Sequence, residues 1–287
     1  MKTVRTIAEV RQAVGEARAA GRSVGLVATM GALHAGHFSL IDRVRAAGDF
    51  VVVSIFVNPT QFAPGEDYES YPRSEAADVA GCEARGAELV FAPDAAEMYR
   101  GGSLTTVHVA RLSETLCGAS RPGHFDGVCT VVAKLLNIVA PDRAYFGAKD
   151  YQQATILRRM VADLDFPVEL VVCPTVRETD GLAVSSRNRY LNPDQRRQAP
   201  ALYGALREGE RVIAASAPPA GEVVAAVRDR LRAGAPDGEI DYVRVVDPET
   251  LADVERTDRP VVIAAAVRLG PARLIDNVRV ERGASGT

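Results

Sequence analysis

The sequence predicts an α/β protein, with a doubly wound parallel sheet over residues 1–175 and a smaller α+β domain over residues 176–287. Three observations carry this. Residues 50–57 (FVVVSIFV) are almost continuously apolar, the pattern of a strand buried on both faces, as in a parallel sheet. Short β-branched runs alternate with amphipathic helical stretches as far as Cys173, the rhythm of βαβ units. Beyond Cys173 the order changes to helices followed by three strand-like runs, which suits a separate α+β domain.

The elements follow in order. Residues 6–18 place Ile7, Val10 and Val14 on one face of an amphipathic helix. Residues 23–29 (SVGLVAT), bounded by Gly21 and Gly31, form a strand, and residues 36–47 a helix with Leu40, Ile41 and Val44. Asn58-Pro59 ends the strand at 50–57. Ser74 caps a helix running to about residue 85, with Glu75 and Asp78 in its first turn. Strands are expected at 89–92, 105–109, 143–146 and 168–173, with helices at 127–139 and 150–163. Residues 174–189 form a polar loop. Residues 193–214 and 219–233 form helices, each opened by a proline that suits the first turn. Strands follow at 240–246, 261–267 and 272–280, and residues 282–287 form a soft tail.

Composition narrows the function classes. The 287 residues are 47% hydrophobic and 25% charged, an ordinary globular mix that excludes disorder as the main state. Thirty-four Lys and Arg against 37 Asp and Glu give a net charge of −3, which does not suit a strongly basic nucleic-acid binder. Cys82, Cys117, Cys129 and Cys173 show neither CxxC nor zinc-ligand spacing, and are expected to be small apolar residues in a reducing compartment. No apolar run approaches a membrane span of ~18–20 residues, and the start is not a signal-peptide core. A soluble cytoplasmic protein is expected.

Four segments carry candidate chemistry. Thr29-Met30-Gly31-Ala32-Leu33-His34-Ala35-Gly36-His37 sets two of the four histidines directly after a strand, at the opening of a helix. A helix N-terminus offers unpaired N–H groups and partial positive charge, and two imidazoles there can donate to a phosphate. An incidental surface turn is the plain alternative; a metal site would need a further ligand. Asn58 and Gln61 lie at the carboxyl end of the most apolar strand, where ligands of open α/β sheets bind. Their uncharged amides suit hydroxyls or a carboxylate, though a polar turn remains open. Gly147-Ala148-Lys149-Asp150-Tyr151-Gln152-Gln153 is another strand-to-helix junction, with glycine for close approach, lysine for phosphate and aspartate for ribose. Helix capping by Asp150 beside a solvated lysine reads equally well. Gly181-Leu182-Ala183-Val184-Ser185-Ser186-Arg187-Asn188 offers two hydroxyls and an arginine as a phosphate clamp, or serves only as a linker. A further loop, Arg121-Pro122-Gly123-His124-Phe125-Asp126-Gly127, is weak on spacing alone.

Together the five segments, in order over residues 28–190, resemble the pantothenate synthetase (pantoate–β-alanine ligase) family. The His-x-Gly-His pair alone indicates only the wider nucleotidyltransferase superfamily; the other segments narrow it. The chain departs from the family pattern at Ala28 for proline, Ala63 for glycine, Ala148 for glutamate and Val184 for methionine.

The resemblance implies a Rossmann-like first domain binding nucleotide and pantoate, and a second domain acting as a lid. It implies that pantoate and ATP give pantoyl adenylate and pyrophosphate, after which β-alanine displaces AMP. In such a site His34 and His37 hold the ATP phosphates, with His37 as proton donor, while Lys149, Ser185, Ser186 and Arg187 bind phosphate. Met30, Gly31, Gly36, Gly147, Ala148, Asp150, Val176 and Val184 complete the ATP site, and Met30, Asn58, Gln61 and Gln153 face pantoate, Gln61 also lying near β-alanine. Mg²⁺ arrives with ATP, no protein metal ligand is assigned, and the family is a homodimer. Two rivals compete. A nucleotidyltransferase acting on a phosphorylated acceptor would not favour the uncharged pair Gln61 and Gln153. A non-catalytic nucleotide-binding module would not need His34, His37, Lys149 and Arg187 together. Neither an added domain nor a basic stretch supports tRNA binding.

Overall fold

A computed structural model describes residues 1–281; the tail expected at 282–287 lies outside the described residues. The chain divides into two compact units, one formed by residues 1–148 and 152–174, the other by residues 149–151 and 175 onward.

The first unit begins with β1 (Lys2–Val4), α1 (Ile7–Ala19), β2 (Val24–Thr29), α2 (Ala35–Ala46) and β3 (Phe50–Ile55). It continues with α3 (Glu75–Ala84), β4 (Leu89–Phe91), α4 (Ala95–Met98), α5 (Cys117–Ser120), α6 (His124–Val139), β5 (Arg143–Gly147), α7 (Tyr151–Asp163) and β6 (Glu169–Cys173). Six parallel strands form one sheet in the order β1-β4-β3-β2-β5-β6. Alternation along the strands serves both faces. Val27, Val51, Val53 and Tyr145 pack with Leu40, Ile41 and Val44 of α2 and Cys82 of α3. Leu26 and Val52 alternate with them and are equally buried, on the face where α1 and α6 meet β2. Each such side chain contributes ~1.5–3 kcal/mol of burial, which is why these strands read as unbroken apolar runs.

At the amino ends of the strands the buried Asp49 accepts from Arg143 Nε at 2.8 Å and from Tyr145 Oη at 3.2 Å, and is also bonded to Ser23. Burial pushes its carboxyl up, but the bonds from Arg143 and Ser23 outweigh this and hold it below the usual carboxylate range.

The second unit carries α8 (Pro193–Gln198), α9 (Ala201–Ser216), α10 (Ala220–Gly234), β7 (Glu239–Val246), β8 (Val261–Leu269) and β9 (Ala272–Val280). Its antiparallel sheet, in the order β7-β8-β9, buries Val261, Ile263 and Ala265 with Leu206 and Ile213 of α9 and Val223 and Val227 of α10.

Several expectations need correction. Residues 105–109 are not a strand; the Val107 N–H donates to Thr130 Oγ1 at 2.9 Å, so a side chain of α6 replaces a ladder partner. β1 is too short to register as a pattern. The helix expected at 193–214 is broken at Pro200, whose ring removes a donor and separates α8 from α9. Pro219 precedes α10 instead of opening its first turn. Ser74 occupies the N-cap position of α3 without a capping bond, its hydroxyl donating instead to Asp78 Oδ1 at 3.3 Å. Residues 149–151, expected within 1–175, group with the second unit: Asn277 Nδ2 donates to the Lys149 carbonyl and Tyr151 Oη to the Pro248 carbonyl, each at 3.0 Å. Among the described residues no helix is long and apolar enough to cross a membrane, and no group of three or more His, Cys, Asp or Glu is arranged to hold a metal ion.

Candidate functional site

β2 and β5 are hydrogen-bonded neighbours, and the sheet grows outward from them in both directions, to β3 on one side and β6 on the other. The carboxyl ends of such a pair flank the crevice where open α/β sheets bind ligands. Two of the expected segments, the turn after Thr29 and the Gly147-Ala148 corner, stand there.

The chain leaves β2 through Gly31 (φ +83°) and Ala32 (φ +50°), both left-handed. Glycine adopts this freely; alanine is strained there by ~1–2 kcal/mol. The turn delivers His34 as the N-cap of α2. His34 Nδ1 accepts from the Gly36 N–H at 3.2 Å, and His37 Nδ1 accepts from the His34 N–H at 3.4 Å, a reciprocal capping box made of two imidazoles. The rings stack with centroids 4.0 Å apart. A ring that accepts at Nδ1 is neutral with its proton on Nε2, so both histidines are set as Nε2–H donors. The first turn of α2 carries no acidic residue to offset the positive end of its dipole.

Beside this turn a second cluster forms after β3. Asn58 is fully buried: its Nδ2 donates to Gln61 Oε1 and to the Gly127 carbonyl, each at 3.1 Å, and its Oδ1 accepts from Tyr99 Oη at 2.6 Å and Thr60 Oγ1 at 2.9 Å. Both amide hydrogens of Asn58 are therefore committed within the protein. One of these bonds orients the Gln61 amide. Gln61 Nε2 lies 2.8 Å from Met30 Sδ, joining the pantoate-facing candidates Met30, Asn58 and Gln61 in one group. Burial pushes the Tyr99 hydroxyl above its usual range, so it remains a donor to Asn58.

The loop that was weak on spacing holds Gln61 from the other side. His124 Nδ1 donates to the Gln61 carbonyl at 2.8 Å, Arg121 Nη2 donates to the same carbonyl at 3.3 Å, and Arg121 Nη1 donates to His124 Nε2 at 2.9 Å. Arg121 also forks onto Glu66 with both bonds at 2.7 Å. Burial would raise the Glu66 carboxyl, yet the Arg121 guanidinium holds it below its usual range. A Cβ at Gly127 would overlap the Thr60 carbonyl, so only glycine lets α6 approach this turn. On α7, Gln152 is buried and spent on the loop before α5, donating to the Leu112 and Thr115 carbonyls at 2.9 and 2.7 Å and accepting from the Cys117 N–H at 2.9 Å. Gln153 is half-buried, and its amide makes no hydrogen bond among the described residues.

The remaining candidates belong to the second unit. Residues 176–184 fold into a short hairpin, Val184 N–H donating to the Val176 carbonyl at 3.0 Å. Arg177 anchors it to the buried Asp276 of β9 through bonds of 2.6 and 3.0 Å, with its guanidinium 3.6 Å over the Tyr203 ring. The next residue of β9, Asn277, carries the Lys149 backbone. Ser185 then caps a 3₁₀ turn, accepting from the Arg187 N–H at 3.3 Å, and Ser186 opens that turn. Lys149 Nζ lies 3.7 Å from Asp150 Oδ1. β9 thus ties the Lys149-Asp150 corner and the Val176–Arg187 segment into one unit.

A parallel sheet with paired imidazoles at the helix after a central strand defines an open α/β protein with an anion-binding turn at its strand ends. Comparison with known proteins is more specific. The family model described as pantoate-beta-alanine ligase matches residues 2–279. The chain is 53% identical over 281 residues to the pantothenate synthetase of Moorella thermoacetica, spanning 98% of this chain and 99% of that one. The crystal structure of pantothenate synthetase from Thermus thermophilus superposes with a TM-score of 0.91 at 49% identity, covering 97% of this chain and 99% of the other. The pantoate-beta-alanine ligase of Francisella tularensis, solved in complex with beta-gamma ATP and beta-alanine, gives a TM-score of 0.80 at 32% identity, covering 97% of each chain. The chain belongs to the pantoate–β-alanine ligase family.

Proposed function

We propose that this protein condenses pantoate with β-alanine in an ATP-dependent ligation that yields pantothenate, AMP and pyrophosphate. The observation that carries the reading is the reciprocal cap of His34 and His37, which sets two neutral imidazoles as donors at the positive end of α2. A carboxylate is a poor electrophile, so the first step is its attack on the α-phosphorus of ATP. A phosphorus–oxygen bond forms to pantoate as the bond to the β-phosphate oxygen breaks, giving pantoyl adenylate and pyrophosphate. The β-alanine amine then attacks the acyl carbon; the carbon–nitrogen bond forms, AMP leaves, and the amine loses a proton.

In this reading His34 and His37 donate to the phosphates where charge develops. Of the two, His37 is assigned as the proton donor. Lys149, Ser185, Ser186 and Arg187 meet the phosphates, while Gly147, Ala148, Asp150, Val176 and Val184 hold the nucleoside side. Met30, Asn58, Gln61 and Gln153 face pantoate, with the Gln61 amide oriented by Asn58 and its carbonyl clamped by His124 and Arg121. Mg²⁺ enters with ATP as part of the co-substrate and offsets phosphate charge. Catalysis is then positioning plus charge stabilisation.

The use of ATP and four buried free cysteines support action in the cytoplasm. Burial pushes the Cys82 and Cys129 thiols up to about 12, which keeps them unreactive. A homodimer is supported by the run between α4 and α5: Leu104 is fully exposed, and residues 103–106 form no backbone hydrogen bond among the described residues. The test of the activity is direct. Purified protein given ATP, Mg²⁺, pantoate and β-alanine should form pantothenate and AMP in equal amounts, each substrate being required. ADP as product, or amide formation with a phosphorylated acceptor only, would reject the reading.

A further inference from the structure

We infer that Asp78 is a positioning residue for the histidine pair, acting through the backbone of the turn that precedes it; this rests on the ligase reading of that pair. Asp78 lies in α3, far from the histidines in sequence, and is almost fully buried. Its two carboxylate oxygens take two successive amides: Ala32 N–H donates to Oδ2 and Leu33 N–H to Oδ1, each at 2.8 Å. Successive amides after left-handed residues form a concave anion-binding nest. Here the anion is built into the protein.

Three further observations fit this role. Ala32 holds a positive φ that an L side chain rarely adopts, so the turn needs an external tie to persist. Ser74 gives no capping bond to its own helix and donates instead to Asp78 Oδ1. A Cβ on Gly31 would come within 3.0 Å of Asp78 Oδ2, so the nest is closed tightly around the carboxylate. His34 follows Leu33 directly, and its backbone N–H is the donor that fixes His37. Letting go of amides 32 and 33 therefore frees the N-cap residue and undoes both imidazole bonds. A shift of about 1 Å in such a group costs roughly 100-fold in rate.

The test is Asp78→Asn, which keeps size and burial but replaces one acceptor oxygen with a donor facing a backbone N–H. The chain has four histidines, so their side-chain ¹⁵N resonances can be assigned. In the wild-type protein His34 and His37 should show an unprotonated Nδ1, and His124 a protonated one. In Asp78→Asn the His34 and His37 signals should lose that signature while His124 keeps its own, and kcat should fall about 100-fold with little change in the KM for pantoate. Folded Asp78→Asn with both histidine signals unchanged overturns the inference, whatever its turnover. Should that variant not fold, Ser74→Ala removes only the hydroxyl donor: an altered His34 and His37 signature with a several-fold lower kcat supports the inference, and unchanged signals overturn it. Wild-type protein lacking ligase activity, but with histidine signals that respond to these variants, would reject the ligase reading and leave the positioning role standing.

Discussion

Two imidazoles cap one helix, and each uses Nδ1 on a backbone amide. This fixes tautomer and orientation together. Replacing His37 with alanine should leave the fold intact by circular dichroism and reduce adenylate formation at least 100-fold, the scale for losing a placed donor; near-normal turnover by the folded variant would contradict the assignment. Asn58 makes a different prediction. Asn58→Ala removes the donor to Gln61 Oε1 and to the Gly127 carbonyl and the acceptor of Tyr99 Oη, three bonds at a buried side chain. It should destabilise the protein by about 2–3 kcal/mol in urea unfolding and raise the KM for pantoate as Gln61 loses its orientation. The sequence marked Asn58 and Gln61 as a pair of like amides. It could not show that one is spent holding the other, because the Asn58 amide is fixed by Tyr99 and Gly127, 41 and 69 residues away. Asp78 was legible only as an acidic residue in a helix's first turn, the commonest reason for one. Gln152 and Gln153 differ in role solely by helix phase, one aimed at the loop before α5 and the other not.

At the scale of elements, the packing of α6 against the turn after β3 decides where Gln61 stands. Gly127→Ala should cost about 1–3 kcal/mol by forcing these apart, read in thermal unfolding, with a larger loss in turnover than in stability. Strands buried on both faces were easy to read, since parallel pairing between two helical layers demands unbroken apolar runs. Residues 105–109 show why the same signal misleads: Val107 and Val109 alternate as in a strand, yet the backbone is met by Thr130 of α6. The break between α8 and α9 was missed although Pro200 is plain in the sequence, and α8 itself carries no apolar face.

For the whole molecule, the polar cluster at the amino ends of the strands contributes stability that depends on pH. Asp49 has its carboxyl held below the range of the unfolded chain, so its contribution is complete above the unfolded value of about 3.9 and is lost as pH falls through the lower folded value. Asp49→Asn should flatten the acid limb of the stability curve; an acid limb identical to wild type would count against this. The division of the chain was legible as a change of texture after Cys173. The membership of residues 149–151 was not, since it rests on single bonds from Asn277 and Tyr151 that join residues more than 90 positions apart. The proposed ligation activates a carboxylate by adenylation before the amine arrives. Isotope exchange between pyrophosphate and ATP measures that step alone. The account predicts exchange that requires pantoate and proceeds without β-alanine; exchange without pantoate, or none until β-alanine is added, would contradict it.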